Sequence, residues 1–189
     1  MSNQQVTIQF PDGKQQYFAE GVTLTEIAKA ISPSFAKKSI AGSVNGTKTD
    51  LTTPILTDAQ IAIYDAQSEQ GLDIIRHSTA HLLAQAVRRL YPEANFGVGP
   101  VIENGFYYDI EMAHTLVPED LIRIEREMKK IANENLIIVR KEVTREEAKQ
   151  LFAHDGLKLE LLDAIPSNET VTVYEQGKFY DLCRGPHVS

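Results

Sequence analysis

The sequence predicts an α+β protein of two consecutive domains, a small one over residues 1–64 and a larger one over residues 72–189. Hairpin signals around a single helix signal fill the first 64 residues, whereas a long amphipathic helical pattern begins at Leu72. The polar stretch DAQSEQG, residues 65–71, lies between these patterns and is typical of a linker. A chain of 189 residues is long enough for this arrangement.

The first domain begins with a predicted β-hairpin, because QVTIQF alternates polar and apolar residues and PDGK supplies a turn before QQYFA. Thr23 and Glu26 have the spacing of a capping box, which predicts a helix that ends near Ser32. Asn45-Gly46 predicts a type I′ hairpin, and QIAIYDA a further strand. Strands around one helix in this order predict a small ubiquitin-like roll.

The second domain opens with a predicted helix from Leu72 to Tyr91, where Pro92 stops the pattern. His77 and His81 are predicted to project from the side of this helix opposite its apolar stripe. The stripe is formed by Leu72, Ile75, Thr79, Leu83, Ala86, Val87 and Leu90.

The rest of this domain mixes strands and helices. A hairpin with its turn at Asn104-Gly105 is followed by the helix PEDLIRIEREMKKIANEN and the strand LIIVRKEV. A capping box from Thr144 to Glu147 begins another helix, and KLELLDAI predicts a short one. TVTVYEQGKFYDLC predicts a terminal hairpin that turns at Gln176-Gly177.

Composition excludes several classes of protein. The net charge of −7 argues against a broad basic surface for nucleic acid, so any RNA contact is expected to be local. No apolar run is long enough for a membrane span, so no membrane partner is expected. The start of the chain does not resemble a signal peptide, and the only cysteine, Cys183, has no partner for an internal disulfide. These features predict a cytoplasmic protein.

Two short motifs concentrate groups that carry chemistry. HSTAH places His77 and His81 one helical turn apart, and CRGPH places Cys183 and His187 four residues apart around a Gly-Pro turn. The four side chains suit a zinc site or a metal-free pocket in which imidazoles position water. A metalloprotease is disfavoured because Ser78 stands where that motif requires Glu. The isolated His114 and His154 are expected to be solvated.

HSTAH, GPVIENGFYYD (residues 99–109) and YDLCRGPHV together resemble the bacterial type of threonyl-tRNA synthetase, and the resemblance covers the whole chain. Residues 1–64 resemble its TGS domain, a ubiquitin-like β-grasp unit, and residues 72–189 its editing domain. Alanyl-tRNA synthetases share the His and Cys-His motifs. The TGS-like unit and GPVIENGFYYD favour the threonyl enzymes.

The resemblance implies a fragment that ends before the aminoacylation core. ATP with magnesium and one zinc belong to that missing core, so no cofactor is expected in this fragment. The editing pocket of threonyl enzymes is described as metal-free, whereas alanyl relatives hold zinc at the corresponding quartet. The expected partner is threonine tRNA, whose acceptor end carries a seryl ester, and the full-length enzyme is expected to be a homodimer.

The family's editing residues fall on six positions of this sequence, which are therefore the candidate catalytic residues: His77, His81, Lys158, Asp181, Cys183 and His187. By this resemblance, Lys158 and a histidine position the attacking water, while Asp181 binds the amino group of serine or orients a histidine. Cys183 need not be a nucleophile. Arg184 and Lys178 are expected to meet the terminal phosphates of the tRNA.

Two other interpretations remain open at this point. The chain is a zinc-stabilised RNA- or protein-binding module without hydrolytic activity if His77, His81, Cys183 and His187 are ligands. Alternatively, it is an interaction or regulatory module, since TGS units also occur in GTPases and stringent-response enzymes.

Overall fold

The computed structural model describes residues 4–188. Its contacts divide the chain into two compact units: residues up to Ile75 together with Gly185 onward, and Arg76–Arg184. The division falls inside a helix and not in the predicted linker 65–71. Within residues 4–188, no helix is both long enough and apolar enough to cross a membrane.

The first unit holds the strands and short helices of the predicted roll. In chain order they are β1 (Gln5–Gln9), β2 (Gln15–Ala19), β3 (Val22–Thr23), α1 (Leu24–Ile31), α2 (Pro33–Lys38), β4 (Ser39–Val44), β5 (Thr47–Thr49), β6 (Pro54–Ile55) and β7 (Ala59–Asp65).

Within the described part of the chain, five of these strands form a sheet in the order β2-β1-β7-β4-β5. β1 pairs in parallel with β7 and the other neighbours are antiparallel, as in the predicted ubiquitin-like roll. The core of this unit is formed by Val6, Ile8, Val22, Leu24, Ile27, Leu51, Ile55, Ala59 and Ile61.

The local signals of the first unit are confirmed. Val44 pairs with Thr47, so Asn45 and Gly46 form a two-residue turn, with φ of 50° and 79°. The Thr23 side chain accepts a hydrogen bond from the backbone N–H of Glu26, whose carboxylate accepts one from Thr23 N–H, and this capping box begins α1. α2 was not predicted; Ser32 caps its start and Pro33 occupies its first turn.

The long helix α3 spans Glu69–Leu90 and starts three residues before the predicted Leu72, within the predicted linker. The reason is a cap: the Ser68 hydroxyl accepts a hydrogen bond from Gly71 N–H at 3.1 Å. Gly71 also packs tightly against the end of β7. A Cβ atom at this position would lie 1.8 Å from the carbonyl oxygen of Asp65.

Beyond α3, the second unit alternates short strands and helices. They are β8 (Asn95–Phe96), β9 (Val101–Ile102), β10 (Gly105–Phe106), β11 (Ile110–Glu111), α4 (Pro118–Asn133), β12 (Ile138–Val143), α5 (Arg145–Leu151), α6 (Gly156–Ala164), β13 (Val171–Gln176) and β14 (Phe179–Leu182). Among the described residues, β12, β13 and β14 form an antiparallel sheet in that order.

Two predicted turns are wrong by one residue. Ile102 pairs with Gly105, so the first turn consists of Glu103 and Asn104, and Gly105 enters β10 with a φ of 155°. Gln176 pairs with Phe179, so the second turn is Gly177-Lys178. Gly177 takes the first turn position with a φ of 63°, a conformation that glycine adopts without strain.

The predicted apolar stripe of α3 is only partly right. Val87 and Ala86 are buried, but Leu72 is 42% exposed, and Ala80 and Ala84 on the predicted polar side have no exposed surface. The helix is surrounded by other elements along its second half, so small residues as well as large ones are buried. The main core of the second unit comprises Ala84, Ala86, Val87, Tyr91, Ala94, Phe96, Ile124 and Ile131.

Candidate functional site

α3 presents the two histidines of the HSTAH motif next to each other. His77 and His81 are one turn apart, and their ring centroids lie 5.1 Å apart with the rings nearly perpendicular. Both side chains are half-buried. The spacing of the motif therefore brings the two imidazoles together, as predicted.

Cys183 reaches this helix from the far end of the chain. Its Sγ lies 3.2 Å from His77 Nε2, which is a hydrogen bond whose donor depends on the tautomer of the ring. The backbone of Cys183 is fixed to β13, because its N–H donates to the Thr172 carbonyl at 3.1 Å and the Thr172 hydroxyl donates to the Cys183 carbonyl. The sheet thus holds the thiol against α3.

Asp181 and Lys158 form a buried ion pair beside the histidines. Asp181 lies two residues before Cys183, so both side chains point to the same face of the strand. Lys158 Nζ lies 2.6 Å from Asp181 Oδ1, and the two side chains are 4% and 2% exposed. The contact lacks the angle of a hydrogen bond, so its attraction is mainly ionic. His81 Nε2 lies 3.7 Å from Asp181 Oδ2, too far for a direct hydrogen bond.

Tyr108 completes this centre and was not predicted. Its hydroxyl donates to Asp181 Oδ2 at 2.5 Å and accepts from Lys158 Nζ at 3.3 Å. Lys158 Nζ also donates to the Gly97 carbonyl at 3.0 Å. Gly99 makes room for the tyrosine, since a Cβ there would lie 2.6 Å from its ring. Tyr108 lies in the GPVIENGFYYD segment, whose residues resemble the family but do not by themselves indicate which side chain joins the site.

Burial determines the protonation states at this centre. Removal from water, then the nearby positive charges of His77 and Lys158, hold the pKa of His81 well below its ordinary value. His81 is therefore neutral at neutral pH. The pKa of Tyr108 is raised, first by burial and then by the charge of Asp181 and its hydrogen bond to that carboxylate. Tyr108 consequently stays protonated, and its hydroxyl donates a hydrogen bond to the carboxylate of Asp181.

The other three histidines lie apart from this group or outside its unit. His187 belongs to the first compact unit, where it is buried and its backbone N–H donates to Asp50 Oδ1 at 2.9 Å; its place in the site stays a prediction. His154 is exposed, as expected. His114 was also expected to be solvated, but it has partners: its Nε2 lies 2.6 Å from the buried Asp120, and its ring stacks on Tyr91.

Part of the site also has the donor chemistry of a metal centre. The ligand atoms of His77, His81 and Cys183 all lie within 4.8 Å of one another. Two imidazoles and a thiolate are groups that zinc accepts.

The two cations expected to meet the tRNA phosphates lie at opposite ends of β14. Arg184 follows Cys183 directly and pairs with Glu169 at 2.6 Å, whereas Lys178 occupies the hairpin turn before β14. Six residues of extended chain span about 20 Å. Only Arg184 is therefore adjacent to the cluster of Cys183 and Asp181.

Two protein families match the chain. The TGS domain family matches residues 6–65, and the family described as the threonyl and alanyl tRNA synthetase second additional domain matches residues 171–189. The second match includes Asp181 and Cys183.

Similar proteins extend this likeness along nearly the whole chain. Threonine–tRNA ligase 1 of Bacillus subtilis (strain 168) is 62% identical over 97% of the chain. Threonine–tRNA ligases of Geobacillus sp. (strain WCH70) and Staphylococcus aureus (strain Mu3) are 56% and 54% identical, each over 98% of it. The chain spans 29% of the length of each of these three relatives. It therefore belongs to the threonyl-tRNA synthetase family and corresponds to the N-terminal region of these enzymes, a TGS domain followed by the second additional domain.

Proposed function

We propose that the second unit hydrolyses seryl-tRNA that has been mischarged on the threonine tRNA. The observation that carries this proposal is the gathering of five predicted residues in one unit, from three separate segments of the chain. These residues are His77, His81, Lys158, Asp181 and Cys183.

Such an activity meets a physical need of any enzyme that charges a tRNA with threonine. Serine differs from threonine by one missing methyl group, and one methyl or methylene discriminates by only about 1–3 kcal/mol. A binding site alone therefore accepts serine too often. A second site that admits the seryl ester, and in which the extra methyl of threonine prevents a productive pose, corrects the error.

The geometry supports distinct roles for His81, Asp181 and Lys158. Neutral His81 has a free-base imidazole that can take a proton from the attacking water. Asp181 is a buried anion suited to the protonated amino group of the seryl ester, and Tyr108 and Lys158 hold its two oxygens. Lys158 also supplies positive charge where the carbonyl oxygen becomes negative in the transition state.

Further parts of the proposal concern the whole protein. The full-length enzyme ligates threonine to its tRNA with ATP and magnesium, contains one zinc in its aminoacylation core, acts as a homodimer and is cytoplasmic. For the fragment we propose a metal-free editing pocket that includes His187 and takes the acceptor end of the tRNA, with the terminal ribose hydroxyl participating in the reaction. The ligase activity of the whole protein is supported by the relatives, which are threonine–tRNA ligases.

Deacylation assays test the editing activity. The chain is mixed with seryl- and threonyl-tRNA under single-turnover conditions, with and without a chelator. We expect faster hydrolysis of the seryl ester, no loss with the chelator, and a decrease of roughly 10²-fold or more for Lys158→Ala, because a charge that stabilises the transition state is removed. His81→Ala is expected to lose roughly 10²-fold, because it removes the proposed proton acceptor.

Exposed residues of the same types provide matched controls. Lys149→Ala and His154→Ala change a lysine and a histidine that are exposed and outside the cluster, so both variants should keep the rate of the unchanged chain. Equal hydrolysis of the two esters would contradict discrimination by size. Loss of activity and of folded structure on chelation would favour a zinc-stabilised module instead.

A further inference from the structure

The buried carboxylate of Asp155 contacts the backbone of Lys158, and Asp155 is not among the predicted site residues. Asp155 is 1% exposed and immediately precedes α6. Its Oδ1 accepts a hydrogen bond from the backbone N–H of Lys158 at 3.2 Å, so it caps the helix that carries the lysine. The position of Lys158 therefore depends on this carboxylate.

The second oxygen of Asp155 binds two other elements. Asp155 Oδ2 accepts from the backbone N–H of Phe96 at 3.1 Å and from Arg88 at 3.2 Å. The residue after Phe96 is Gly97, whose carbonyl accepts from Lys158 Nζ. The same carboxylate thus holds both the backbone of Lys158 and the peptide segment that receives its ammonium group.

Arg88 connects this arrangement to the histidines. It lies on α3, seven residues after His81, which is about two helical turns, so both side chains project from the same side of the helix. Its guanidinium group also lies 4.8 Å from the centre of the Phe96 ring. α3, β8 and α6 therefore meet at the buried carboxylate of Asp155, which pairs with the half-buried Arg88.

Capping a helix does not by itself require a carboxylate. Serine, threonine and asparagine cap helices as well as aspartate does, and a buried charge costs free energy unless it is paired. Here the charge allows Oδ2 to accept two donors while Oδ1 accepts a third. Asparagine at this position can keep the cap but cannot accept both remaining hydrogen bonds with its NH2 group.

We propose that Asp155, neutralised by Arg88, is a positioning residue that sets the location of the Lys158 ammonium group relative to Asp181. It acts through Lys158 and does not touch the reacting atoms. The inference rests on the proposed function only for its effect on the reaction rate, because the location of Lys158 is measurable without any substrate.

The first measurement is the rate at which an acylating reagent labels Lys158 in the folded chain, followed by mass spectrometry. Exposed Lys178 serves as the internal reference. In Asp155→Asn, we expect labelling of Lys158 to rise roughly fivefold or more while labelling of Lys178 stays unchanged. Asp163→Asn is the matched control, because Asp163 is an exposed, paired aspartate on the same helix.

The second measurement is the deacylation of seryl-tRNA. Asp155→Asn should lower kcat roughly tenfold or more and leave KM within about twofold, because the ester still binds but meets a misplaced ammonium group. Arg88→Met should act in the same direction. Arg88→Lys keeps a cationic donor for Asp155 and should retain most of the activity and of the protection of Lys158.

Thr144→Ala is the control for a general loss of stability. It removes the cap of α5 and leaves the cap of α6, the helix that carries Lys158, unchanged. If Thr144→Ala exposes Lys158 to labelling as much as Asp155→Asn does, or if Arg88→Lys behaves like Arg88→Met, the proposal is overturned. If the unchanged chain hydrolyses no seryl-tRNA, the proposed function fails. The labelling of Lys158 then still decides the inference about Asp155.

Discussion

At the scale of single residues, four groups at the centre of the second unit together carry no net charge: Lys158, Asp181, Tyr108 and His81. Lys158 and Asp181 neutralise each other, Tyr108 keeps its proton, and His81 is uncharged. A neutral histidine in this place has a measurable consequence, because its pKa differs between the folded and unfolded chain.

His81 should make the stability of the chain sensitive to mild acid. Its pKa is lowered on folding, so the unfolded chain binds the proton more readily and stability decreases as the pH falls below about 6.5, the ordinary value for histidine. Above that pH the effect is absent. We expect the free energy of unfolding, measured with denaturant from pH 8 to pH 5, to fall by ~1 kcal/mol more in the unchanged chain than in His81→Gln.

The control for this experiment is His154→Gln, which replaces an exposed histidine of the same unit. This variant should follow the pH dependence of the unchanged chain. If His81→Gln does the same, His81 is protonated as readily in the folded chain as in the unfolded one, and folding does not lower its pKa.

The sequence was most informative about residues in short motifs. His77 and His81 lie one turn apart, so helical spacing alone predicts that their rings are neighbours. Tyr108 and Asp155 had no such signal. Tyr108 bonds to Asp181, and Asp155 bonds to Arg88 and Phe96, all of which lie far away along the chain. Such contacts follow from tertiary packing and not from local periodicity.

At the scale of elements, capping boxes were the most reliable predictors of where helices begin. Both predicted boxes, at Thr23 and Thr144, have the expected reciprocal hydrogen bonds. Turn positions were less reliable, since glycine next to asparagine or glutamine marks a turn without fixing which two residues form it. The pairing of the strands shows that Gly105 lies in β10 and that Gly177 is the first residue of its turn.

Gly71 offers a test in which two effects of one substitution oppose each other. Alanine inside a helix is usually more favourable than glycine by about 1 kcal/mol. At Gly71, however, the added Cβ would lie 1.8 Å from the Asp65 carbonyl oxygen, so the backbone must shift. We expect Gly71→Ala to destabilise the chain by ~1–3 kcal/mol, measured by denaturant unfolding.

Gly156 provides the comparison, because it begins α6 and an added Cβ there would have no heavy atom within 4 Å. Gly156→Ala should leave the free energy of unfolding unchanged or raise it slightly. Equal changes in the free energy of unfolding for the two variants would show that the close approach between α3 and the end of β7 does not exclude a side chain at Gly71.

At the scale of the whole molecule, the acidic character of the chain limits the RNA contact that we propose. With a net charge of −7, the chain has few cations to spare for phosphates. Each phosphate contact contributes about −0.9 to the slope of log affinity against log salt for a duplex, and about −0.7 for a single strand. We expect a shallow slope for the threonine tRNA, no steeper than about −3.

Arg184 and Lys178 make this prediction specific. Fluorescence anisotropy from about 50 to 200 mM salt should show a slope reduced by about 1 in Arg184→Ala, which changes the residue directly after Cys183, and no change in Lys178→Ala. A slope that depends on Lys178 and not on Arg184 would place the RNA at the β13–β14 turn, away from Cys183.

The ion pair between Lys158 and Asp181 has one more consequence, which concerns the release of product in the proposed reaction. Hydrolysis frees serine, which then bears a carboxylate that the ester lacked. This new anion meets the buried carboxylate of Asp181 as a like charge, while Lys158 stays paired with that aspartate. We therefore expect product inhibition of the proposed reaction by free serine to be weak.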